Sequence, residues 1–376
     1  MSIRLIVFLT VLTHLSFAGC RVILSLTAIH YQASPFTVGV VMSLLTVIPM
    51  LFALRWGRYV DRIGVRGPML AGIAAILAAM VLAWAVPRLE TLFVVSPLAG
   101  SGFFLYHIAS GQAAAVIGQP QDRVRNFTLL ALAYSASGFL GPTLAGFAID
   151  GIGHNNAMLA LSAGVLVTAV VFALWKTEIP RHEAAASNEE KRRVADLLRI
   201  PGFRLVFIVS GTLSMTWDLF AFVTPIYGSQ IGLSATTIGI LLGAFGAAVF
   251  VVRLALPFVA RRVNEWRVLI AAMLLSGATL LAFPLASGVP LLMALAFLLG
   301  VGLGGTQPLI MTLLYNKAPE GRGAEVLSVR TWLINLSQTS VPLAFGALGA
   351  ALGMLPVFWA MGASLLVAGF FAARGK

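Results

Sequence analysis

The stretch GRYVDRIGVRG, residues 57–67, lies between two long apolar runs and carries several charged side chains. Its three arginines, Arg58, Arg62 and Arg66, disfavour burial in lipid, because a charge at the bilayer centre costs about 2.5–3.5 kcal/mol on insertion scales. Glycines at both ends favour a change of chain direction. The stretch is therefore expected to be a short basic loop that joins two membrane-spanning helices on the cytoplasmic side.

The composition of the whole chain supports a membrane location for most of its length. Of the 376 residues, 59% are hydrophobic and 10% are charged, whereas about 25% of the residues in soluble domains are charged. The net charge of +12 is expected to reflect basic cytoplasmic loops, and no nucleic-acid partner is predicted. Cys20 is the single cysteine, which excludes an internal disulfide and a cysteine-based metal site. No metal and no cofactor are predicted.

Twelve membrane-spanning helices are predicted from apolar windows of about 20 residues. The windows are 5–29, 36–56, 68–87, 92–117, 127–148, 157–175, 205–227, 237–259, 268–286, 290–315, 326–349 and 353–373. The one long polar stretch, residues 177–203, is expected to be a cytoplasmic linker that is partly helical from Asn188 to Arg199. We therefore predict an all-α integral membrane protein with six-helix bundles at 1–176 and 204–376.

The positions of the basic residues predict the orientation of these helices. With the amino terminus placed in the cytoplasm, all but four of the 25 Lys and Arg residues fall in cytoplasmic segments. The four exceptions are Arg21, Arg88, Arg253 and Arg330. Because cytoplasmic loops carry an excess of Lys and Arg, both termini and the linker are expected on the cytoplasmic side of the cell (inner) membrane.

The two halves of the chain align with a constant offset of 200 residues. Matching positions are Ser34 and Ser234, Thr37 and Thr237, Gly39 and Gly239, Gly100 and Gly300, Gly102 and Gly302, Ser137 and Ser337, Pro142 and Pro342, and Gly146 and Gly346. A shared offset is hard to reach by chance. It predicts two bundles of the same topology, related by an axis along the membrane normal.

The repeat also bears on the first helix, where THLSFAGCRVILSLTA, residues 13–28, holds Arg21 in an apolar stretch. One interpretation is a lipoprotein-type signal that is cleaved before Cys20. The other is a membrane helix that keeps Arg21 for function. Because the first helix has a counterpart in the seventh, we expect it to be retained.

The basic loop resembles the signature loop of the major facilitator superfamily, in which a glycine, three residues, Asp-Arg, one residue and a glycine precede basic residues. The matching residues are Gly57, Asp61, Arg62, Gly64 and Arg66. Together with the twelve spans and the repeat, the resemblance covers the whole chain. It implies the fold of that superfamily and transport by alternating access.

The resemblance also implies that this loop is a conformational latch. Asp61 is expected at the positive amino end of a neighbouring helix. Arg62 and Arg66 are expected to pair with an acid such as Asp122.

The fifth predicted helix contains a second motif, Gly141-Pro142 followed after two residues by Ala145-Gly146. It is similar to the glycine-proline motif of the exporters in the family, which act as antiporters, with alanine in place of one glycine. Export is therefore favoured over import. Ser96, in the fourth predicted helix, departs from the family pattern. Proton-coupled members often carry an arginine at this position, four residues before the glycine that is Gly100 here.

Polar side chains inside the predicted spans are the candidate functional residues, because they normally face a cavity or a partner. In the family, the first, fourth, seventh and tenth helices line the central cavity. Two amides on the eleventh helix are three residues apart and share a face. The predicted substrate-binding residues are Arg21, His107, Asp218, Gln307, Asn335 and Gln338.

Several of these charges have a structural alternative. Asp218 and Arg253 are expected either to neutralise each other in a structural pair or to carry a coupling proton. Arg330 is expected either to reach the cytoplasmic interface or to contact the substrate. His14 and His107 are expected either to pack in the bundle or to face the cavity.

Three arginines against one aspartate in the interior favour an anionic or amphipathic anionic solute. The predicted function is that of a monomeric secondary exporter in the lipid bilayer, with protons as the candidate coupling ion. An importer of a sugar or organic anion, and a lipid or lysolipid flippase, are the alternatives. No enzyme is predicted, since the spans contain no HExxH, no G-x-S-x-G and no carboxylate pair.

Overall fold

The computed structural model describes residues 2–174, 203–259, 264–317 and 323–374, and nearly all of these residues are helical. The α-helices of these ranges are α1 Ile3–His30, α2 Pro35–Ile63, α3 Arg66–Ala85, α4 Leu89–Val116, α5 Arg123–Leu174, α6 Phe203–Gln230, α7 Ala235–Val259, α8 Glu265–Ala282, α9 Val289–Gly304, α10 Thr306–Lys317, α11 Gly323–Leu352 and α12 Met354–Arg374. Short 3-10 turns occur at Pro120–Asp122 and Phe283–Leu285. The helix predicted from Asn188 to Arg199 lies outside the described residues.

The helices follow the predicted spans, except that two spans fall within one helix and one span is divided between two helices. The fifth and sixth spans both lie in α5, which is 52 residues long and is broken at Gly153, where φ is 81°. The tenth span is divided into α9 and α10 at Gly305. The break at Gly153 depends on glycine, which adopts a positive φ without a steric penalty, whereas Gly305 keeps a negative φ of −91°.

Ten helical stretches of the described chain are long and apolar enough to cross a membrane. The stretch Arg123–Leu174 accounts for two predicted spans, and Val289–Leu314 joins α9 to α10. The helix α11 is not in this set, because Asn335 and Gln338 and the hydroxyl side chains around them lower its hydropathy. The result is an all-α membrane protein whose helices agree with twelve spans.

Local capping residues explain where several helices begin and end. Ser34 precedes α2 and its hydroxyl accepts a hydrogen bond from the Thr37 N–H at 3.2 Å. Pro35 follows at the first helical position, where a missing N–H does no harm. At the other end of α2, Gly64 has a φ of 83°, which favours glycine and ends the helix at the basic loop.

Contacts divide the chain into two compact units. The first consists of Met1–Ala186 and Thr224–Gly243, and the second of Ser187–Val223 and Ala244–Lys376. The end of α6 and the start of α7 therefore pack with the first unit. The division into bundles at 1–176 and 204–376 stays a prediction.

The sequence repeat appears in the local structure of the two halves. The hydroxyl of Ser234 accepts from the Thr237 N–H at 3.2 Å, the same distance as in its counterpart at Ser34. The turn before each serine contains a residue with positive φ, Gln32 at 60° and Gly232 at 78°. Equivalent turns therefore connect the first two helices of each half.

The close helix contacts repeat as well. A Cβ on Gly100 would overlap the backbone carbonyl of Leu45, and one on Gly300 would overlap the carbonyl of Phe245, 200 residues further on. Both contacts bring two backbones together where any side chain would hold them apart. The conserved offset of these contacts confirms that the two halves share their helix packing.

Candidate functional site

A polar cavity of about 120 Å³ lies in the second unit among α6, α7, α10 and α11. Its lining residues are Ser214, Trp217, Asp218, Arg253, Gln307, Ile334 and Gln338. Four of the residues singled out from sequence thus meet from four different helices. Asn335 does not line the cavity, although it lies three residues before Gln338. The cavity has room for about four waters at roughly 30 Å³ each, and so for one polar group of a solute.

Asp218 supplies the carboxylate of this cavity. It is buried, and Ser337 on α11 donates a hydrogen bond from its hydroxyl to the Asp218 Oδ2 at 3.1 Å. A buried carboxylate needs such donors, because burial without hydrogen bonds strongly disfavours its charged form. In the sequence Ser337 is one half of a repeat pair, and in the structure it is a hydrogen-bond partner of the candidate proton carrier.

Arg253 reaches the same cavity from α7. Its Nε donates to the Gly304 carbonyl oxygen at 3.4 Å, and its Cζ lies 5.7 Å from the centre of the Trp217 ring. Gly304 is the last residue of α9, so its carbonyl belongs to the partially negative carboxyl end of that helix. The break in the tenth span therefore contributes to holding a guanidinium near the cavity.

Gln307 connects a second arginine to the cavity. Arg330, which is buried, donates to the Gln307 Oε1 and places its Nη1 3.3 Å from the Met311 sulfur. These contacts favour an interior position for Arg330 over the interfacial alternative. Ser214 lines the cavity from α6 and is only 3% exposed, and its hydroxyl has no hydrogen-bond partner among the described residues. A solute or water in the cavity would supply that partner.

The first unit contains a separate cluster of histidine and aromatic rings. His14 Nδ1 lies 2.6 Å from the Ser137 hydroxyl, and the ring of Tyr134 is 5.0 Å from His14 and 4.9 Å from His107 between centroids. Phe103 joins the cluster at 5.3 Å from His14. His14 and His107 therefore both contact the ring of Tyr134.

Arg21 belongs to the same face of α1 as this cluster. It follows His14 by seven residues, which is two helical turns, and its side chain is half-buried. The predicted substrate residues thus fall in two groups. Arg21 and His107 occur in the first unit, and Asp218, Gln307 and Gln338 occur in the second.

Asp150 makes a contact that the sequence did not reveal, here called the Asp150 clasp. Its carboxylate accepts hydrogen bonds from the N–H groups of Ala235 at 3.2 Å and Thr236 at 2.7 Å, at the amino end of α7. Partial burial raises the pKa of Asp150, but these hydrogen bonds outweigh it and bring the pKa below its ordinary value. Negative charge is stabilising at a helix amino end, so the clasp joins α5 to α7 within the first unit.

The glycine-proline motif supports the clasp from one turn away. A Cβ on Gly146 would overlap the Ala235 carbonyl, and a Cβ on Gly239 would lie 2.5 Å from the Pro142 carbonyl oxygen. Gly141 has the corresponding role against α1, where an added Cβ would lie 2.6 Å from the Leu15 carbonyl oxygen. The motif thus allows α5 to approach two neighbouring helices closely.

A polar pocket of about 580 Å³ borders the clasp and contains two histidines. The rings of His30 and His154 stack at 4.6 Å, and His154 Nδ1 lies 3.1 Å from the Thr27 hydroxyl. His154 and Asp150 lie between the predicted spans 127–148 and 157–175. Burial, followed by the neighbouring His30, lowers the pKa of His154 to about 4.

Acid is expected to loosen this pocket through His154. The folded protein favours the neutral ring of His154, because burial and His30 lower its pKa to about 4. The stability of the fold that comes from this neutral ring is present above pH 6.5 and is lost as pH falls from 6.5 to about 4. A fluorophore on Gln230→Cys, in a Cys20→Ser background, should become more accessible to iodide over this pH window. His154→Gln should remove the pH response, and Asp150→Ala should raise quenching at every pH. An unchanged pH response in His154→Gln would contradict the assignment.

The basic loop differs in part from its predicted contacts. Asp61 accepts a hydrogen bond from the Gln112 Nε2 at 2.8 Å, near the carboxyl end of α4, and a contact with a helix amino end stays a prediction. Arg66 donates to the Phe172 carbonyl at 3.4 Å. Arg62 is exposed, and Gly57 has open space around it.

Asp122 has other partners than the ones predicted for it. It pairs with Arg125 at 3.3 Å and accepts from the Gln119 N–H at 3.0 Å. The expected pairing with Arg62 or Arg66 is therefore not found among the described residues. The reason is local, because Arg125 lies one helical turn from Asp122 and needs no loop rearrangement to reach it.

A helical membrane protein with buried ionisable groups around an internal cavity has the features of a transport protein. The sequence model of the Major Facilitator Superfamily matches residues 6–322 and, in a second match, 206–374. The chain belongs to the Major Facilitator Superfamily. It is accordingly a secondary transporter of that superfamily and not an enzyme.

Individual relatives agree with this assignment. The tetracycline resistance protein, class G, of Vibrio anguillarum is 26% identical over 326 residues, which is 83% of this chain and 80% of that protein. The structure of a POT family transporter in complex with a thioalcohol-conjugated peptide has a TM-score of 0.82 at 14% identity, covering 99% of this chain and 95% of the other. A nucleoside transporter has a TM-score of 0.77 at 13% identity, covering 98% of each chain. At these identities the two structures establish the fold alone.

Proposed function

We propose that the protein is a proton-coupled exporter that works by alternating access on small amphipathic organic solutes. The observation that carries the proposal is the polar cavity of the second unit, where Asp218 and Arg253 are held among neutral hydrogen-bonding side chains. An ionisable carboxylate and a guanidinium in one small cavity can both bind a solute group and respond to a proton.

Two observations favour export. The tetracycline resistance protein is similar over most of both chains, although the identity is 26%. The glycine-proline motif, whose form is typical of antiporters in the family, makes the close contacts of α5 with α1 and α7 through Gly141, Pro142 and Gly146. Both favour export by an antiporter, and Asp218 is the group that we propose for the exchanged proton.

The cavity also constrains the polar part of the solute. Arg253 offers a planar donor suited to a carboxylate or another acceptor group. Asp218 accepts from Ser337 and, when ionised, can accept from a donor on the solute. A solute that donates to Asp218 competes with a proton for the same carboxylate, and this competition is the physical requirement for antiport.

A purely anionic solute would behave in the opposite way. Protonation of Asp218 would remove a negative charge from the cavity and strengthen anion binding at Arg253. Proton and solute would then bind together, which is symport. The two arginines connected to the cavity, Arg253 and Arg330 through Gln307, are the observation that favours this importer as the second candidate.

The sign of a solute-driven proton movement separates the two functions. Purified protein would be reconstituted in liposomes that contain a pH-sensitive dye, and tetracycline or a simple aromatic carboxylate would be added outside. Exchange makes the lumen alkaline as solute enters, and symport makes it acidic. We expect alkalinisation with tetracycline above that of protein-free liposomes. Acidification would replace the exporter with the symporter, and no proton movement with any solute would refute proton coupling.

A further inference from the structure

A second cavity, of about 680 Å³, runs along α6 in the second unit and reaches Leu333 of α11. We call it the α6–α11 groove. On α6 its lining includes Arg204, Ile208, Gly211 and Met215. These residues are spaced by four, three and four positions, so they form one stripe of the helix.

The same stripe leads to the polar cavity. Asp218 follows Met215 by three residues on α6, and Ser337 follows Leu333 by four on α11. The hydrogen bond between Ser337 and Asp218 therefore lies one turn beyond the last groove residues on both helices. The groove and the polar cavity share no lining residue, but on α6 and α11 the groove residues lie next to those of the polar cavity, on the side of Asp218.

The surface of the groove is apolar between its ends. Ile208 is 48% exposed and Met215 is 38% exposed, so both present accessible apolar surface. Thr212 donates its hydroxyl to the Ile208 carbonyl at 2.9 Å, so this hydroxyl is already hydrogen-bonded within α6. A cationic side chain, Arg204, occurs at the end opposite to Asp218.

The sizes of the two cavities are complementary. Ligand sites for small organic molecules are typically about 300–1,000 Å³, and the polar cavity of about 120 Å³ is below that range. The groove, at about 680 Å³, lies within it. From Arg204 to Met215 the helix rises by about 16 Å at 1.5 Å per residue, which is long enough for an extended chain.

We propose that the α6–α11 groove binds the flexible apolar chain of the transported solute, while the polar group of that solute lies in the polar cavity. The inference rests on the proposed function and names its substrate class as single-chain amphiphiles. The polar group contacts Arg253 and Gln338, and the chain extends from Asp218 toward Arg204. Arg204 carries a positive charge, so the groove should favour chains whose far end is uncharged or a hydrogen-bond acceptor over chains whose far end is a cation.

Gly211 allows a direct test because it lies in the groove and an added Cβ there would meet no atom within 4 Å. Gly211→Leu should fill the groove without displacing a helix. The matched control is Gly111→Leu on α4, which also has open space around the added Cβ but lies in the first unit. The probes are N-acylglycines from butyryl to decanoyl, whose common head carries an amide donor and a carboxylate.

Binding to protein in lipid nanodiscs would be measured by calorimetry and corrected with empty nanodiscs. In the wild type, affinity is expected to rise up to about four-fold per methylene, from about 0.8 kcal/mol for each buried CH₂. Gly211→Leu should flatten this dependence and leave the shortest probe unaffected, and Gly111→Leu should keep it. Equal slopes in wild type and Gly211→Leu, or no slope in the wild type, would overturn the proposal.

Gln338→Ala separates this inference from the proposed function. It should weaken every probe by a similar factor and keep the slope, because it alters the polar cavity alone. If affinity rises with acyl-chain length only when Gly211 is present, and the protein moves no protons, the groove proposal stands and proton coupling is refuted. If Gln338→Ala abolished the dependence of affinity on chain length, the chain and the polar group would not bind in separate cavities and the proposal would be overturned.

Discussion

Asp218→Asn is expected to remove solute-driven proton movement entirely while solute binding changes by only a few-fold. Asparagine keeps the size of the side chain and an oxygen that can accept from Ser337, which donates to Asp218 at 3.1 Å. It has no proton to exchange and no charge, so binding of the solute can no longer be linked to pH. The contacts of Arg253 with the Gly304 carbonyl and the Trp217 ring do not involve Asp218 and should be kept.

The measurement is the pH change in dye-loaded liposomes, together with solute binding at several pH values. Ser337→Ala is the matched control, because it removes the hydrogen bond and leaves the carboxyl group in place. It should shift the pH dependence without abolishing proton movement. If Asp218→Asn moved protons as much as the wild type does, Asp218 would be excluded as the coupling residue.

Gly100→Ala is expected to destabilise the protein strongly. A Cβ at this position would overlap the backbone carbonyl of Leu45, so α4 and α2 must move apart. Forcing atoms into a packed contact typically costs about 1–3 kcal/mol and occasionally more. A loss near the upper end corresponds to a fall in Tm of roughly 5–10 °C for a unit of this size.

Gly111→Ala on the same helix is the control for helix propensity, because its added Cβ meets nothing within 4 Å. Its Tm in detergent should equal or slightly exceed that of the wild type, since alanine is the better helix former. Gly300→Ala should resemble Gly100→Ala, because it meets Phe245 in the equivalent contact. A Tm of Gly100→Ala equal to that of Gly111→Ala would show that the helices do not approach as described.

Much of the fold was predictable because its causes are local. A spanning helix is specified by about 20 consecutive apolar residues, and the ends follow from caps such as Ser34 and glycines such as Gly64. The offset of 200 predicted equivalent packing, and the contacts of Gly100 and Gly300 confirm it. The breaks at Gly153 and Gly305 were less visible, because glycine is also common inside membrane helices.

The candidate site was predictable only as a set of residue types. Charged groups in apolar spans singled out Asp218 and Arg253, and burial in one cavity supports that choice. Asn335 was included on spacing alone, and the rotation of α11 leaves it out of the lining. Asp150 was overlooked because an acid just beyond a predicted span has no unusual sequence context.

The amino-acid sequence by itself determined the class of protein, the number of spans and the internal repeat, because hydrophobicity and spacing along the chain specify them. Only the tertiary structure decided which polar side chains meet. That outcome depends on how each helix is rotated, on the break that places the Gly304 carbonyl near Arg253, and on the approach of α7 to Asp150. These are contacts between segments 51 to 119 residues apart, and no local pattern encodes the angle at which such segments face each other.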